Sequence, residues 1–227
     1  MRYDAILIDA DDTLLDFHAA EQTALDEMLR ELGLLTDQAR ADYRKVNRAC
    51  WQALERGEIT QARLRHKRFE DFLSLYGRDD DPAAVGEKYL ECLSRQGVLL
   101  PGALEAVKAI AAKLPVALVT NGIASVQHGR VDASPLRPYL KALVISEELG
   151  CAKPNPRMIS EALRLLGGIS PARALMVGDS LASDMLCARN AGVDACWVNP
   201  AGAPRPPEVP IRSDIASISE LPGIVFP

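Results

Sequence analysis

Five short apolar runs, separated by segments of helical periodicity, form the pattern of most of the chain. The runs are AILI at 5–8, VALVTN at 116–121, ALVIS at 142–146, ALMVGD at 174–179 and ACWVN at 195–199. Continuous apolar runs of this length are typical of strands buried on both faces of a parallel sheet. Between them, helical periodicity covers residues 102–114, 156–167 and 181–192. The alternation predicts an α/β fold whose core is a doubly wound, Rossmann-like parallel sheet.

Residues 17–98 interrupt this alternation, because every pattern in the stretch is helical. Helices are predicted at 19–32, 37–56, 60–76 and 82–96, with breaks at Gly33, Gly57 and Gly77. A crossover between parallel strands needs about a dozen residues or more, and this stretch is far longer. We therefore predict a core formed by 1–16 and 99–227 and an inserted, all-helical cap domain formed by 17–98. Because the insert follows the first strand directly, we expect the cap to cover the end of that strand.

Composition and charge narrow the possible partners. The 227 residues are 48% hydrophobic and 25% charged, which is near the average for globular proteins, and the formal net charge is −5. A negative balance argues against binding to polymeric nucleic acid, which requires a basic surface. It permits a small phosphorylated ligand, because a local pocket can be positive on an acidic protein.

The amino-terminal segment and the cysteines indicate a cytoplasmic protein. The first apolar run is too short for a signal peptide or a membrane span, so we expect no membrane partner. The five cysteines include no CxxC pair, and their odd number argues against a disulfide framework or a structural zinc site. Inert thiols in a reducing compartment are the simpler interpretation.

Polar and charged residues follow four of the five predicted strands. They are Asp9 and Asp11 after the first strand, Thr120, Asn121 and Gly122 after the second, Lys153 after the third, and Asp179 and Asp184 after the fourth. Each has an ordinary interpretation alone, since Asp caps helices and Thr-Asn-Gly forms turns. Because ligands bind at the carboxyl ends of parallel strands, the whole set predicts a functional site at this edge.

Four carboxylates at one edge of the sheet would repel one another unless their negative charge is offset. Crowded carboxylates either take up protons or hold a cation. An all-oxygen set with few protein ligands suits Mg²⁺, which retains waters and binds phosphate oxygens. Asp9 and Asp11 are two residues apart, which places them on the same side of an extended segment. One can then attack a substrate while the other moves a proton.

Four segments together resemble the motifs of the haloacid dehalogenase-like hydrolase superfamily. They are DADDT at 9–13, TNG at 120–122, the lysine of AKPNP at 152–156 and GDSLASD at 178–184. They occur in the superfamily's order, and the helical insert after the first motif matches the position of its cap. The resemblance therefore covers the whole chain, and it implies a Rossmann-like core, a Mg²⁺ cofactor and a phosphate ester substrate.

The resemblance also implies a role for each matching residue. Asp9 is the nucleophile that forms an aspartyl-phosphate, and Asp11 protonates the leaving oxygen and then activates water. The phosphoryl group is bound by Thr120, Asn121, Gly122 and Lys153. Thr120 and Lys153 also belong to the catalytic set, and Lys153 neutralises charge on the nucleophile and the phosphate. The metal is held by Asp9, Asp179, Asp184 and the main-chain carbonyl of Asp11. Asp184 acts directly, through water or through Lys153.

Two acidic positions of the first motif refine the interpretation. Dehalogenases of the superfamily lack an acid two residues after the nucleophile, so Asp11 favours phosphate chemistry. Many relatives have glycine where this chain has Asp12, and an acid there is tolerated in other members.

Residues 46–70 resemble the cap of the bacterial pyrimidine 5′-nucleotidases, which hydrolyse uridine and thymidine monophosphates and non-standard analogues. The matching positions are Val46, Asn47, Trp51, Gly57, Ile59, Thr60, His66, Arg68, Phe69 and Glu70. Asn47, Trp51 and Arg68 are the candidate substrate contacts. The alternative is that Trp51 and Phe69 belong to the core of the cap and that RLRHKR at 63–68 is a solvated helix face. Arg68 is the basic residue of this run that we expect to point inward.

The sequence thus predicts a Mg²⁺-dependent phosphomonoesterase, a 5′-nucleotidase for pyrimidine nucleoside monophosphates, acting as a monomer or homodimer. Three alternatives remain open: a phosphatase for another metabolite such as phosphoglycolate or a sugar phosphate, a phosphotransferase or mutase, and a non-catalytic binding module. The presence of Asp9, Asp11, Lys153 and Asp179 argues against the last of these.

Overall fold

A fully parallel, six-stranded sheet lies within residues 2–226, which are the residues that the computed structural model describes. The strands are β1 Ala5–Ile8, β2 Val116–Thr120, β3 Ala142–Ile145, β4 Ala174–Gly178, β5 Asp194–Val198 and β6 Ser213–Ile215. Their order is β3-β2-β1-β4-β5-β6, which confirms the predicted doubly wound, Rossmann-like fold. Met1 and Pro227, the two ends of the predicted core, lie outside the described residues.

The helices complete two compact units. In chain order they are α1 Phe17–Glu31, α2 Asp37–Glu55, α3 Gln61–Leu75, α4 Pro82–Ser94, α5 Ala103–Ala111, α6 Ala124–Ala133, α7 Ser146–Leu149, α8 Arg157–Leu165, α9 Leu186–Ala191 and α10 Leu221–Val225. One unit comprises the described parts of Met1–Phe17 and Gly97–Pro227, and the other comprises His18–Gln96. We refer to them as the core unit and the cap unit. Within residues 2–226, none of the helices combines the length and apolar character needed to cross a bilayer.

The core unit buries both faces of its sheet, as the continuous apolar runs predict. Ile6 and Ile8 of β1 pack in one hydrophobic cluster with residues of α5, whereas Leu7 packs in another with residues of α8. Successive side chains of a strand point to opposite faces, so each face of β1 meets its own helical layer. All four residues of β1 are buried.

Three parts of the core unit differ from the sequence prediction. The predicted helix at 181–192 begins as a π-helical turn, Leu181–Met185, and continues as α9. The hydrophobic pattern does not predict β6. Of its three residues, Ile215 is the one that is buried, because the strand lies at the sheet edge. The hydrophobic pattern does not predict helix α6 either, because two polar side chains, Gln127 and Arg130, occupy part of its buried face.

The cap unit contains the four predicted helices. Side-chain oxygens at the amino termini of α2, α3 and α4 accept main-chain hydrogen bonds, and they belong to Thr36, Thr60 and Asp81. The predicted breaks at Gly33, Gly57 and Gly77 have positive φ angles, which glycine adopts without steric cost. An aromatic cluster forms the interior, with ring centroids 5.3 Å apart for Tyr43 and Tyr89 and 5.8 Å apart for Tyr43 and Phe69.

Candidate active site

The carboxyl ends of β1 and β4 lie side by side because the strands are parallel and in register. Ile8 of β1 pairs with Val177 of β4, and the main-chain N–H of Asp9 donates to Val177 O at 2.9 Å. The chain continues from these strands into Asp9 and Asp179. On the other side of β1, Ile8 pairs with Leu118 of β2, the strand that ends at Thr120. The predicted acidic and polar positions therefore meet at one edge of the sheet.

Lys153 reaches this edge from the loop that follows β3 and α7, and it is 3% exposed. Its Nζ contacts Asp9 Oδ1, lies 2.7 Å from Asp184 Oδ1, and donates to Val119 O at 2.8 Å. Asn121 holds the lysine backbone on both sides: Nδ2 donates to Lys153 O at 3.0 Å, and Oδ1 accepts from Lys153 N at 2.8 Å. The Thr-Asn-Gly segment thus positions the buried ammonium group between two carboxylates.

Asp9, Asp179 and Asp184 form an acidic cluster, with one carboxylate oxygen from each lying within 4.8 Å of the others. Asp184 is fully buried, and its Oδ2 accepts from the main-chain N–H of Ser180 at 3.0 Å. Trp197 donates its indole N–H to Asp179 O at 2.7 Å and so fixes the loop after β4. We call these three carboxylates the acidic cluster below.

The acidic cluster carries more negative charge than Lys153 offsets. Burial raises the pKa of Asp9 well above its usual value, Lys153 opposes this rise, and Asp184 adds to it. Burial, with Asp184 and Asp12, raises the pKa of Asp179 to about 6. Burial alone would lower the pKa of Lys153, but Asp184 and Asp9 raise it, so the lysine stays charged. One cation among two buried carboxylates and one half-buried carboxylate leaves an excess of negative charge that a second cation can neutralise.

The donor set fits Mg²⁺. The cluster offers hard carboxylate oxygens and few of them, which leaves coordination positions for water and phosphate oxygens. The Asp11 carboxylate is not part of this cluster. The expectation for Asp11 concerns its main-chain carbonyl, and that expectation stays a prediction.

The side chain of Asp11 is held by two residues that sequence reasoning missed. Gln127 Nε2 donates to Asp11 Oδ2 at 2.8 Å, and Arg130 Nη1 contacts Asp11 Oδ1. Both donors lie on α6, directly after the Thr-Asn-Gly segment. The available signal was a glutamine and an arginine three residues apart, a spacing that places them on one helix face.

The unusual residue of the first motif has a backbone explanation. Asp12 has a φ of 58°, in the left-handed region that glycine enters freely. Aspartate is among the residues other than glycine that tolerate this region best. The position therefore accommodates aspartate in a backbone conformation that also favours glycine.

The other predicted phosphate-binding residues lie at the same edge of the core unit. Thr120 is 1% exposed at the end of β2, and Gly122 N donates to Ser146 Oγ at 3.0 Å. Ser146, at the start of α7, thus connects the loop after β2 with the segment that leads to Lys153. Sequence reasoning did not single out this serine.

The predicted cap residues lie within the cap unit, and two of them, Asn47 and Arg68, are hydrogen-bonded to each other. Arg68 Nη1 donates to Asn47 Oδ1 at 3.0 Å, and Asn47 Nδ2 donates to Glu21 Oε1 at 3.4 Å. Arg68 is 3% exposed and lies 4.9 Å from the ring centroid of Phe69. Trp51 is half-buried. Substrate contact by Asn47, Trp51 and Arg68 stays a prediction.

The cysteines give no sign of a nucleophilic centre. All five are free thiols, and Cys151 is the half-buried member of the set. Burial raises the pKa of Cys187 to about 12 and that of Cys196 to about 11, which opposes thiolate formation. The carboxylate and lysine groups therefore remain the chemical centre of the site.

Together, the fold and site define a Rossmann-like α/β enzyme whose centre combines clustered carboxylates with one buried lysine. Residues 3–192 match the haloacid dehalogenase-like hydrolase family. Pyrimidine 5′-nucleotidase YjjG of Escherichia coli is 34% identical over 222 residues, covering 97% of each chain. Pyrimidine 5′-nucleotidase PynA of Streptococcus pneumoniae is 37% identical over 202 residues, covering 88% of this chain and 85% of that protein.

The HAD-hydrolase YfnB of Bacillus subtilis is similar in both sequence and structure. It is 33% identical over 221 residues, covering 97% of this chain and 94% of YfnB. A crystal structure of YfnB bound to magnesium superimposes with a TM-score of 0.91 over 100% of both chains, at 32% identity. The chain belongs to the haloacid dehalogenase-like hydrolase family and is an enzyme of that family.

Proposed function

We propose that the chain is a Mg²⁺-dependent phosphomonoesterase that hydrolyses pyrimidine nucleoside monophosphates through an aspartyl-phosphate at Asp9. The observation that carries this proposal is the grouping of Asp9, Asp179 and Asp184 around Lys153, with Asp11 two residues beyond Asp9. YjjG and PynA, which match most of this chain, are named pyrimidine 5′-nucleotidases, and this supports the choice of substrate.

The acidic cluster is the proposed metal site. Asp9, Asp179 and Asp184 would hold Mg²⁺ with the main-chain carbonyl of Asp11. When bound, the cation would offset the excess carboxylate charge and the charge of the phosphoryl oxygens. The crystal structure of the similar protein YfnB contains magnesium, which supports the identity of the ion.

The first half of the reaction transfers the phosphoryl group to the protein. An oxygen of Asp9 attacks phosphorus, and the bond between phosphorus and the ester oxygen breaks. Asp11 donates a proton to the departing oxygen, so the nucleoside leaves as an alcohol. Lys153 remains charged beside Asp9, where it attracts the phosphoryl oxygens and neutralises charge as the new bond forms. Thr120 and the amide of Asn121 orient the same group.

The second half releases phosphate and restores the enzyme. Asp11, now a carboxylate, takes a proton from water as the water oxygen attacks phosphorus of the aspartyl-phosphate. The bond from phosphorus to Asp9 breaks, inorganic phosphate departs, and Asp9 returns as a carboxylate. Asp11 keeps the proton for the next turnover, so the proton balance closes.

The cap unit is the proposed source of base selectivity. Arg68 Nε and Nη2 are buried and have no hydrogen-bond acceptor within residues 2–226. Such N–H groups can donate hydrogen bonds to the carbonyl oxygens of a pyrimidine ring. The other two candidate contacts, Asn47 and Trp51, lie on the neighbouring helix α2. A buried guanidinium without full pairing is costly to stability, which favours a recognition role for Arg68.

Replacing Arg68 with methionine is expected to separate recognition from stability. The unpaired buried donors disappear, so the free energy of unfolding should stay within about 1 kcal/mol of the wild type or rise. The kcat/KM for pyrimidine monophosphates should fall at least about tenfold, since a lost charged hydrogen bond is worth roughly that factor. The kcat/KM for p-nitrophenyl phosphate should not change. Urea unfolding and steady-state assays measure these quantities, and an unchanged substrate preference would remove Arg68 from recognition.

The proposed function itself is tested by phosphate release from a panel of esters. The panel contains UMP, dUMP, dTMP, AMP, GMP, phosphoglycolate and several sugar phosphates, each with Mg²⁺ and with a chelator. We expect release from the pyrimidine monophosphates, loss of activity with chelator and recovery on adding Mg²⁺. Activity confined to phosphoglycolate or sugar phosphates would retain the chemistry and reject the nucleotidase assignment. No release from any ester by the folded protein would reject the phosphatase.

A further inference from the structure

Helix α6 presents two hydrogen-bond donors to Asp11, one for each carboxylate oxygen. Gln127 Nε2 donates to Oδ2 at 2.8 Å, and Arg130 Nη1 contacts Oδ1. The donors are three residues apart and thus lie on the same face of the helix. Each carboxylate oxygen keeps a second lone pair, so the pair of contacts orients Asp11 without blocking the position of its proton. We call Gln127 and Arg130 the Asp11 clamp.

The clamp is costly as a purely structural device. Gln127 is 3% exposed, and its Oε1 has no hydrogen-bond donor within the described part of the chain. Burying an unsatisfied carbonyl oxygen lowers stability. Arg130 is fully buried and lies 5.7 Å from the ring centroid of Phe17. Apolar side chains of similar volume would fill both positions at lower cost, so the placement of these groups is explained by their contact with Asp11.

The glycine of the Thr-Asn-Gly segment gives Gln127 its path to Asp11. A Cβ at Gly122 would lie 2.8 Å from both Cγ and Nε2 of Gln127, a distance that real Cβ atoms do not show. Because glycine has no Cβ, the glutamine side chain passes over the loop and reaches the carboxylate. The phosphate-binding loop and the clamp are therefore packed as one unit.

We propose that Gln127 and Arg130 are positioning residues for Asp11, and that they orient its carboxylate for proton transfer to the leaving oxygen. This inference rests on the proposed function, because it assigns the donors to the acid of that reaction. Proton transfer depends strongly on the position of the acid, and two fixed contacts restrict the Asp11 carboxylate to a single orientation. The clamp residues act through Asp11, whose proton the leaving group receives.

Leaving-group dependence tests this role. Departure of a nucleoside alcohol requires a proton, whereas p-nitrophenolate leaves readily without one. In Gln127→Met and Arg130→Lys, we expect kcat/KM for UMP to fall about 10- to 100-fold, part of the 10²–10⁴-fold that general acid catalysis contributes. For p-nitrophenyl phosphate we expect a change of less than about threefold. Asp11→Asn should lose more activity on UMP than either clamp variant, and it should also lose kcat on p-nitrophenyl phosphate, because Asp11 activates the water that releases phosphate.

A control substitution on the same helix distinguishes a positioning role from a general loss of stability. Val131 is fully buried on α6, and no hydrogen bond connects its side chain to Asp11. Val131→Ala should lower the melting temperature while reducing kcat/KM equally for both substrates, if at all. Equal losses on both substrates in the clamp variants, or no loss on UMP, would overturn the positioning role.

A readout independent of turnover keeps the inference distinct from the proposed function. The side-chain amide protons of Gln127 give an NMR signal that the bond to Asp11 affects. We expect Asp11→Asn to shift this signal and accelerate its exchange with water. An unchanged signal would overturn the clamp even if the enzyme is an active phosphatase. If Asp11→Asn shifts the signal but the wild-type protein hydrolyses no ester, the contact between Gln127 and Asp11 stands and the proposed phosphatase function is rejected.

Discussion

Replacing Asp9 with asparagine is expected to abolish turnover and to leave the protein folded. Asparagine keeps the shape of the side chain but lacks the carboxylate that we propose as the nucleophile, so we expect kcat to fall about 10⁴-fold or more, the scale on which loss of a nucleophile acts. Asp9 is 6% exposed and close to two other carboxylates. Removing one of these charges relieves repulsion, so the free energy of unfolding should be unchanged or higher.

The matched control for this variant lies at the other end of β1. Asp4 is exposed and pairs with Arg173 on the surface, with 2.6 Å between the charged atoms. Asp4→Asn should retain wild-type kcat, because the residue is remote from the acidic cluster. Phosphate-release assays and circular dichroism on both variants give the comparison. Retained turnover in Asp9→Asn would remove Asp9 from the nucleophile role.

Replacing Lys153 with methionine is expected to affect both stability and activity. Lys153 Nζ contacts Asp9 and Asp184 in the buried site, so its removal leaves buried carboxylates without their cation. Breaking a buried pair in this way lowers the free energy of unfolding by about 3–5 kcal/mol. Loss of the positive charge beside the phosphoryl group should lower kcat about 10²- to 10³-fold.

Magnesium provides a second measurement on the same variant. Any ligand that binds the native state alone stabilises it, and the unpaired cluster of Lys153→Met should still attract a divalent cation. We expect added Mg²⁺ to raise the midpoint of urea unfolding for this variant. Lys141→Met is the control, since Lys141 is exposed in the same unit and should change stability by less than about 0.5 kcal/mol. Wild-type stability and kcat in Lys153→Met would contradict the electrostatic account.

The sheet and its edge were predictable because two simple patterns coincide there. Continuous apolar runs such as AILI identify strands buried on both faces, and parallel strands bring their carboxyl ends together. That geometry alone places Asp9 near Asp179, although the two residues are 170 positions apart in the sequence. Lys153 was identified by its position in the chain and by the motif resemblance.

The clamp on Asp11 was not predictable from hydrophobic periodicity. Helix α6 buries Gln127 and Arg130, so polar residues occur where the pattern requires apolar ones, and the helix itself escaped notice. The contacts between α6 and the loop after β1 join residues that are far apart in the chain, and such contacts leave no local pattern in the sequence. Arg68 and Asn47 pose a related problem, since a buried polar pair has the same sequence signature whether it supports a cap or binds a ligand.

The central claim is a covalent phosphoryl intermediate on Asp9, and rapid-quench mass spectrometry tests it directly. The wild-type enzyme would be mixed with UMP and Mg²⁺, quenched in acid within a turnover, and digested. We predict that the peptide containing Asp9 gains the mass of one phosphoryl group, and that Asp9→Asn shows no gain. Phosphate release by the wild type without any phosphorylated peptide, or with the label on another residue, would contradict the account.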